Sequence, residues 1–265
     1  KLTTTNNKNI IALIDTGINY TLTEFHKNIA VKNGTILGFD YWDNDDKPFD
    51  SDPRQNPFYP RSHGSTIFSV LAKEAPNSHI APYRFPALNM CKFREVIEHI
   101  AKNSIRLVNL SMGSNKLKDW VCFEKAAKQY NNIIFVVSAG NNGFDIDKQP
   151  IYPASLKLKN IITVTSSDQN GRIGRGSNIG KLSVDFILPA ERIEVIDHRG
   201  VKSYTGGTSY AAPRLVALIS RFIEKNPNTT NNKIFEFLQK RSIQKGIKKT
   251  KYGWIPDPLD DYLIN

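Results

Sequence analysis

Residues 10–17 read Ile-Ile-Ala-Leu-Ile-Asp-Thr-Gly, a run of five apolar residues that ends on a carboxylate and a turn. Short runs of apolar and β-branched residues are typical of parallel strands that are covered on both faces. Similar runs recur along the chain, and six strands are predicted: 9–14, 79–83, 105–110, 133–137, 160–164 and 184–188.

Helix-period segments lie between and after these runs, at 93–101, 119–130, 209–225 and 231–240. In the first of them, Val96, Ile97 and Ile100 share one face. Repeated alternation of strand and helix predicts an α/β fold with a mostly parallel central sheet and helices on both faces. Because such sheets bind ligands at the carboxyl ends of their strands, the residues just after each run are the candidates for function.

Length and composition exclude several classes of protein. The 265 residues contain no repeats and no linker, so we expect one domain that spans residues 1–265. A content of 40% hydrophobic and 23% charged residues excludes wholesale disorder, and no apolar run approaches the ~20 residues of a membrane span. The net charge is +11, but no stretch alternates basic and aromatic residues, which argues against a nucleic-acid partner.

The two cysteines, Cys91 and Cys122, are too few for a disulfide scaffold. A single bridge and two buried free thiols are the alternatives, and we favour the free thiols. The sequence begins at Lys1 with no leader, so we expect that a segment upstream was removed, by processing or by choice of the expressed chain.

Asp15 follows directly on a predicted buried strand, a position where a carboxylate is costly unless it is hydrogen-bonded. Its Asp-Thr-Gly triplet is compatible with catalysis and, equally, with a plain turn at the end of a strand. Aspartic-protease chemistry is excluded, because it needs two carboxylates that share a proton and no second such triplet occurs.

His63 lies in the first turn of a further predicted helix, which apolar residues at 67, 70 and 71 indicate. Ser62 is the predicted N-cap of that helix. A lone histidine is more often structural than catalytic, so this signal is weak in isolation.

Two small-residue segments complete the set of candidates. Residues 206–213, Gly-Gly-Thr-Ser-Tyr-Ala-Ala-Pro, place Ser209 at the start of a buried helix, where free N–H groups attract negative charge. Residues 138–143, Ser-Ala-Gly-Asn-Asn-Gly, follow a strand and give Asn141 an amide donor at the same edge of the sheet. Each segment alone is also compatible with an ordinary turn.

Taken together, Asp-Thr-Gly, His-Gly-Ser, Ala-Gly-Asn and Gly-Thr-Ser-x-Ala-x-Pro occur in this order along an α/β chain. This ordered set resembles the subtilisin-like serine proteases, whose catalytic residues follow the order Asp, His, Ser. Segments that resemble the family cover nearly the whole chain; they include 38–48, 74–80, 108–113 and 226–231.

The resemblance implies a subtilisin-like three-layer fold and a serine endopeptidase that forms an acyl-enzyme. Ser209 would be the nucleophile, His63 the general base and acid, and Asp15 the residue that orients the imidazole. Asn141 and the N–H group of Ser209 would form the oxyanion hole. Substrate would bind along an edge formed by Ser111, Met112 and Gly113, and a first specificity pocket would be lined by Ala139 and Gly140.

The sequence departs from the family at two places that bear on function. Tyr210 follows the nucleophile where relatives commonly have Met, and the connection 72–80 has no room for the loop that holds calcium in many relatives. Six aspartates at positions 40–52 offer calcium ligands instead: Asp40, Asp43, Asp45, Asp46, Asp50 and Asp52. We favour a solvated loop there, with no bound metal and no cofactor for catalysis.

Two function classes fit the fold, an active endopeptidase and a binding protein that has lost activity. All four catalytic positions are intact, which favours the enzyme. The family resemblance further implies a secreted or extracytoplasmic monomer that acts on proteins or peptides and loses an N-terminal propeptide. A maturation protease dedicated to one peptide partner remains open within the enzyme class.

Overall fold

The computed structural model describes residues 9–54, 61–244, 246 and 248–264. Its helices are α1 (Gly64–Glu74), α2 (Lys92–Lys102), α3 (Val121–Gln129), α4 (Thr208–Lys225) and α5 (Asn231–Arg241), with 3-10 turns at Thr23–Asn28 and Leu117–Trp120. The strands are β1 (Ile10–Asp15), β2 (Val31–Lys32), β3 (Thr35–Ile36), β4 (Phe39–Asp40), β5 (His79–Arg84), β6 (Leu107–Leu110), β7 (Ile134–Ser138), β8 (Ile161–Ser167), β9 (Phe186–Pro189), β10 (Ile193–Ile196), β11 (Lys202–Thr205) and β12 (Gly253–Trp254).

Eight of these strands form one sheet in the order β12-β9-β8-β7-β6-β1-β5-β4. Every neighbouring pair in it is parallel, which confirms the predicted α/β class. Since the strands are parallel, all their carboxyl ends lie along one edge of the sheet.

The two faces of the sheet carry separate hydrophobic cores. Along β1, Ile11 and Leu13 face a core shared with α1, α4 and α5, while Ala12 and Ile14 face a core shared with α2 and α3. This alternation is the period-two pattern of a strand that is buried on both sides. Helices therefore cover both faces as predicted, and no described helix is long and apolar enough to cross a membrane.

The predicted strands and helices form with small shifts at their ends, whereas the shortest elements are missing from the prediction. The two outer strands, β4 and β12, have two residues each, too few to give a recognisable apolar run. The antiparallel pair β10–β11 is mostly exposed on β11 and lacks an apolar run for the same reason.

The cysteines correct one expectation. Cys91 and Cys122 form a disulfide that links the start of α2 to the first turn of α3, with the two Cα atoms 5.0 Å apart. Neither residue is buried, so the preference for buried free thiols was wrong.

The aspartate-rich segment also differs from its prediction as a solvated loop. Asp40, Asp50 and Asp52 are only 1–2% exposed. The Arg84 guanidinium donates to Asp40 at 2.9 Å and also contacts Asp43, and Arg54 binds Asp52. The prediction therefore holds for Asp43, Asp45 and Asp46, which are exposed, and fails for the three buried aspartates.

Candidate active site

The carboxyl ends of neighbouring strands and the start of α4 border one cleft of about 600 Å³. Asp15 is the last residue of β1, and the segments after β6 and β7 carry Ser111 and Asn141. Ser209 lies in the first turn of α4, and His63 directly precedes α1. The structure therefore brings these five side chains, distant in sequence, to one surface.

Asp15 and His63 form a hydrogen-bonded pair. The carboxylate of Asp15 is 2% exposed and lies 2.8 and 2.9 Å from His63 Nδ1 through its two oxygens. The N–H group of Thr16 donates to the same carboxylate at 2.8 Å. The Asp15 carboxylate accepts the Nδ1 proton, so in the neutral form of the ring the lone pair is on Nε2.

Thr16 holds the start of the helix behind His63. Its hydroxyl oxygen accepts hydrogen bonds from the backbone N–H groups of His63, at 3.0 Å, and Gly64, at 2.8 Å. The first N–H groups of a helix have no partner within the helix, so Thr16, which directly follows β1, acts as the cap of α1. The predicted cap, Ser62, makes no such bond, and α1 begins at Gly64.

The Asp50 carboxylate also binds the first turn of α1. Its carboxylate accepts from the Ser65 N–H group at 2.8 Å and from the Thr16 hydroxyl. Burial raises the pKa of Asp50, while the hydrogen bonds from Ser65 and Thr16 oppose that shift. Asp50 and Thr16 together fix the backbone at His63.

Ser209 occupies a helix turn with an unusual hydrogen-bond pattern. The N–H group that would bond to the Ser209 carbonyl belongs to residue 213, which is proline. The Ser111 hydroxyl donates to that carbonyl instead, at 3.0 Å. Pro213 therefore leaves the Ser209 carbonyl free to bind the segment that carries Ser111.

Ser209 Oγ and His63 Nε2 face the cleft without a hydrogen bond between them. In ligand-free sites such bonds are often long and shorten when substrate binds. Tyr210 links the two helix starts, because its hydroxyl lies 3.1 Å from Thr66 Oγ1 and its ring centroid 6.0 Å from that of His63.

Hydrogen bonds to its side-chain oxygen fix the orientation of Asn141. Its Oδ1 accepts from the Thr208 N–H group at 3.0 Å and from the Thr208 hydroxyl at 3.1 Å. A Cβ at Gly207, where φ is +116°, would lie 3.1 Å from that oxygen, so only glycine fits between them without strain. With Oδ1 engaged on the helix, the Asn141 amide N–H₂ group remains for the cleft.

Two glycines that line the cleft lie close to one isoleucine. Gly113 and Gly140 both approach Ile151, whose Cγ2 would contact a Cβ at either position. Ser111, Met112, Gly113 and Gly140 line the cleft as predicted. Ala139 does not, because its side chain is fully buried in the core; Ser138 lines the cleft beside Gly140 instead.

Sequence reasoning missed several of these contributors. Thr16 and Thr208 stand inside the motifs already singled out, and the unpaired N–H groups at a helix start are the signal that could have identified them. Asp50 had no local signal, because it belongs to a run of similar aspartates.

The sequence profile described as the subtilase family matches residues 6–254. The chain belongs to the subtilase family. One curated relative is the cell wall-associated protease of Bacillus subtilis (strain 168), 23% identical over 97% of this chain and 28% of its own length. Another is the epidermin leader peptide-processing serine protease EpiP of Staphylococcus epidermidis, 22% identical over 95% of this chain and 67% of its own length. The chain thus spans under a third of the first of these relatives.

Solved subtilases have the same fold. EpiP from Staphylococcus aureus superposes with a TM-score of 0.75 at 19% identity, over 94% of this chain and 74% of that chain. A cold-adapted subtilisin-like serine proteinase gives a TM-score of 0.73 at 20% identity, over 94% of this chain and 90% of its own. At such identities the likeness establishes the architecture, and the chemistry rests on the site itself.

Proposed function

We propose that this subtilase is a serine endopeptidase that uses Asp15, His63 and Ser209 as a catalytic triad. The observation that carries the proposal is the Asp15–His63 pair, which holds Nδ1 at 2.8 Å and leaves Nε2 on the cleft that Ser209 lines. Membership of the family supports the same chemistry.

In the first step, Ser209 Oγ attacks the carbonyl carbon of the scissile bond while His63 Nε2 takes its proton. Asp15 stabilises the imidazolium ion, and Asn141 Nδ2 with the Ser209 N–H group binds the negative oxygen of the tetrahedral intermediate. His63 then protonates the departing amine, which leaves an ester on Ser209. Water cleaves this ester by the same sequence of proton transfers and regenerates the free hydroxyl.

Substrate is proposed to bind in extended form along Ser111, Met112 and Gly113. The side chain before the scissile bond then enters the pocket between Gly113 and Gly140, which has Ile151 at its base. Because Ser111 is bonded to the nucleophile's own carbonyl group, the substrate edge and the nucleophile have a fixed spacing.

We also propose that catalysis needs no cofactor, since each step above uses groups of this chain alone. Action outside the cytoplasm after removal of a propeptide is part of the proposal, and the disulfide between Cys91 and Cys122 supports an oxidising compartment. Relatives described as cell wall-associated and as a minor extracellular protease support the same location.

A narrower candidate is a protease that matures one peptide partner. It is favoured by the similarity to proteins described as a leader peptide-processing protease, a lanthipeptide protease and a nisin leader peptidase. A peptide library separates the two, because a maturation enzyme cleaves few sequences and a degradative enzyme many.

The experiment is active-site labelling with a fluorophosphonate probe, which reacts with activated serines. We expect one adduct, on Ser209, and loss of both labelling and peptide hydrolysis in Ser209→Ala. Ser203→Ala, at an exposed serine on β11, is the matched control and retains both. A folded chain that hydrolyses no library peptide and takes no label would favour the binding-protein alternative.

A further inference from the structure

Six ionisable side chains line the cleft: Asp15, Asp52, Arg54, Arg61, His63 and Asp119. Four of them are paired, Asp15 with His63 and Asp52 with Arg54. Within the part of the chain that the structure describes, the Asp119 carboxylate forms no hydrogen bond and no ion pair. It is the carboxylate of the cleft that remains available to a ligand.

Asp119 reaches the cleft from the segment of chain that continues beyond Ser114. It belongs to the 3-10 turn Leu117–Trp120, and the Trp120 indole N–H donates to Ser114 Oγ at 2.9 Å. At the other end of the same segment, Ser111 bonds to the Ser209 carbonyl. Ser111 and Ser114 are three residues apart, about 10 Å in an extended chain.

This distance relates Asp119 to a position in the substrate. If the residue before the scissile bond occupies the pocket at Gly140, the chain upstream of it passes Gly113 and reaches Ser114 after three or four residues. Side chains at that point meet the turn that carries Asp119.

The surroundings of Asp119 suit a long cationic side chain. Ala87, Met90 and Met112 are partly exposed, line the same cleft and supply apolar surface. Lysine and arginine bury their alkyl stems against such surface while the charged tip reaches an acceptor. A short acidic side chain would meet the Asp119 carboxylate with like charge.

We propose that Asp119 is a specificity-determining residue that selects a lysine or arginine three or four residues before the scissile bond. The inference rests on the proposed function for the direction in which substrate binds. Lys116 and Lys118 are exposed in and beside the same turn. The net charge of the chain is +11, so the protein as a whole repels cationic peptides. A preference for a basic residue at one position is therefore a local effect.

The test uses internally quenched peptides that share one cleavable sequence and differ by lysine, norleucine or glutamate at each upstream position in turn. We expect lysine to exceed norleucine in kcat/KM by about five- to tenfold at the third or fourth position only, the range between an exposed ion pair and a charge-assisted hydrogen bond. Asp119→Asn should reduce that ratio to about one, and Asp119→Lys should reverse it in favour of glutamate.

Glu124→Gln is the matched control, since it removes one negative charge from α3, next to the same turn, at a residue that does not line the cleft. It should keep the wild-type ratio. The assignment would be overturned if the lysine-to-norleucine ratio of kcat/KM were unchanged in Asp119→Asn, or if Glu124→Gln lowered that ratio equally. Binding of the same peptides to Ser209→Ala gives a readout without turnover, so failure of the proposed chemistry is separable from failure of the specificity.

Discussion

The two ends of the central sheet carry the same kinds of polar side chain and use them differently. At the amino end of β8, Asn160 donates to the carbonyls of Ala127, at 3.0 Å, and Ile133, at 2.9 Å. At the carboxyl end of the neighbouring β7, Asn141 uses only its carbonyl oxygen, on Thr208. One asparagine has its donors satisfied inside the protein, and the other presents them to a cleft.

The carboxylates repeat this contrast. Asp185, before β9 at the amino end, accepts from the Thr163 N–H group at 2.9 Å and faces Lys251 at 3.9 Å. Asp15, at the carboxyl end, holds a histidine whose other nitrogen faces the cleft. A polar side chain at the end of a strand is thus by itself no indicator of function in this molecule; the indicator is a hydrogen-bonding group left open towards one shared cavity.

The largest expected difference is between the two asparagines. Asn141→Ala should lower kcat by about 10²–10³ with little change in KM, because the lost donor acts on the transition state, as measured for such a donor in a serine protease of this family. Asn160→Ala should leave kcat per folded molecule unchanged and lower the free energy of unfolding by about 1–3 kcal/mol, since two buried carbonyls lose their donor.

Steady-state kinetics and urea unfolding of both variants measure this pair of effects. Asn141→Asp is a useful companion, because it keeps the oxygen that binds Thr208 and replaces the donor with a charge that repels the oxyanion. A rise in KM with kcat unchanged in Asn141→Ala would make Asn141 a substrate-binding residue instead.

The second prediction concerns the pH dependence of the free energy of unfolding, through a carboxyl group at the amino end of the sheet. Burial raises the pKa of Asp185 to about 6 from 3.8, opposed by the Thr163 hydrogen bond and by Lys251. A carboxyl group with a raised pKa in the folded state stabilises the fold fully below its unfolded value, near 4, and this stabilisation is lost as pH rises through about 6. The shift of about two pKa units corresponds to about 3 kcal/mol in order of magnitude.

Asp185→Asn should therefore remove a fall in unfolding free energy between about pH 4 and 7 that the wild type shows. Denaturant unfolding at several pH values measures it, and Asp46→Asn, at an exposed carboxylate, is the control. Identical pH profiles for wild type and Asp185→Asn would show that Asp185 is better solvated than its 13% side-chain exposure indicates.

The sequence predicted the sheet and the edge that carries the cleft because both depend on local patterns. Short apolar runs identified β1, β5 and β7, and each motif stood directly after a run or at a helix start. Short edge strands such as β12, and residues that act through distant backbone, gave no such pattern. Asp50 supports α1 from fifteen positions before Ser65, so only the folded chain reveals its role.

The error over Ala139 has a simple geometric cause. Ala139 follows directly on β7, and neighbouring residues at the end of a strand point to opposite faces of the sheet. Ser138 and Gly140 line the cleft, and Ala139 between them points into the core. Side-chain direction is therefore the part of the site that a motif leaves undetermined.

The smallest expected effect concerns calcium at the aspartate-rich segment. Among the described residues, no group of three or more His, Cys, Asp or Glu side chains is arranged to hold a metal ion, and most of these carboxylates have protein partners. Arg84 binds Asp40 and Asp43, Arg54 binds Asp52, and Asp50 is engaged at the start of α1. A cation would have to displace these contacts and would meet a chain of charge +11.

We therefore expect chelation with EDTA to change the melting temperature by no more than a degree or two. Loss of a calcium ion held at 100 times its Kd would remove about 2.7 kcal/mol, which for a domain of this size is a fall of roughly 5–11 °C. Differential scanning calorimetry with and without chelator distinguishes these values. A large fall that calcium reverses and magnesium does not would mean that the segment binds calcium, and that its arginines share the carboxylates with the metal. The comparison between the two ends of the sheet would then change too, because a polar cluster beside the cleft would bind a ligand although its hydrogen bonds are satisfied within the protein.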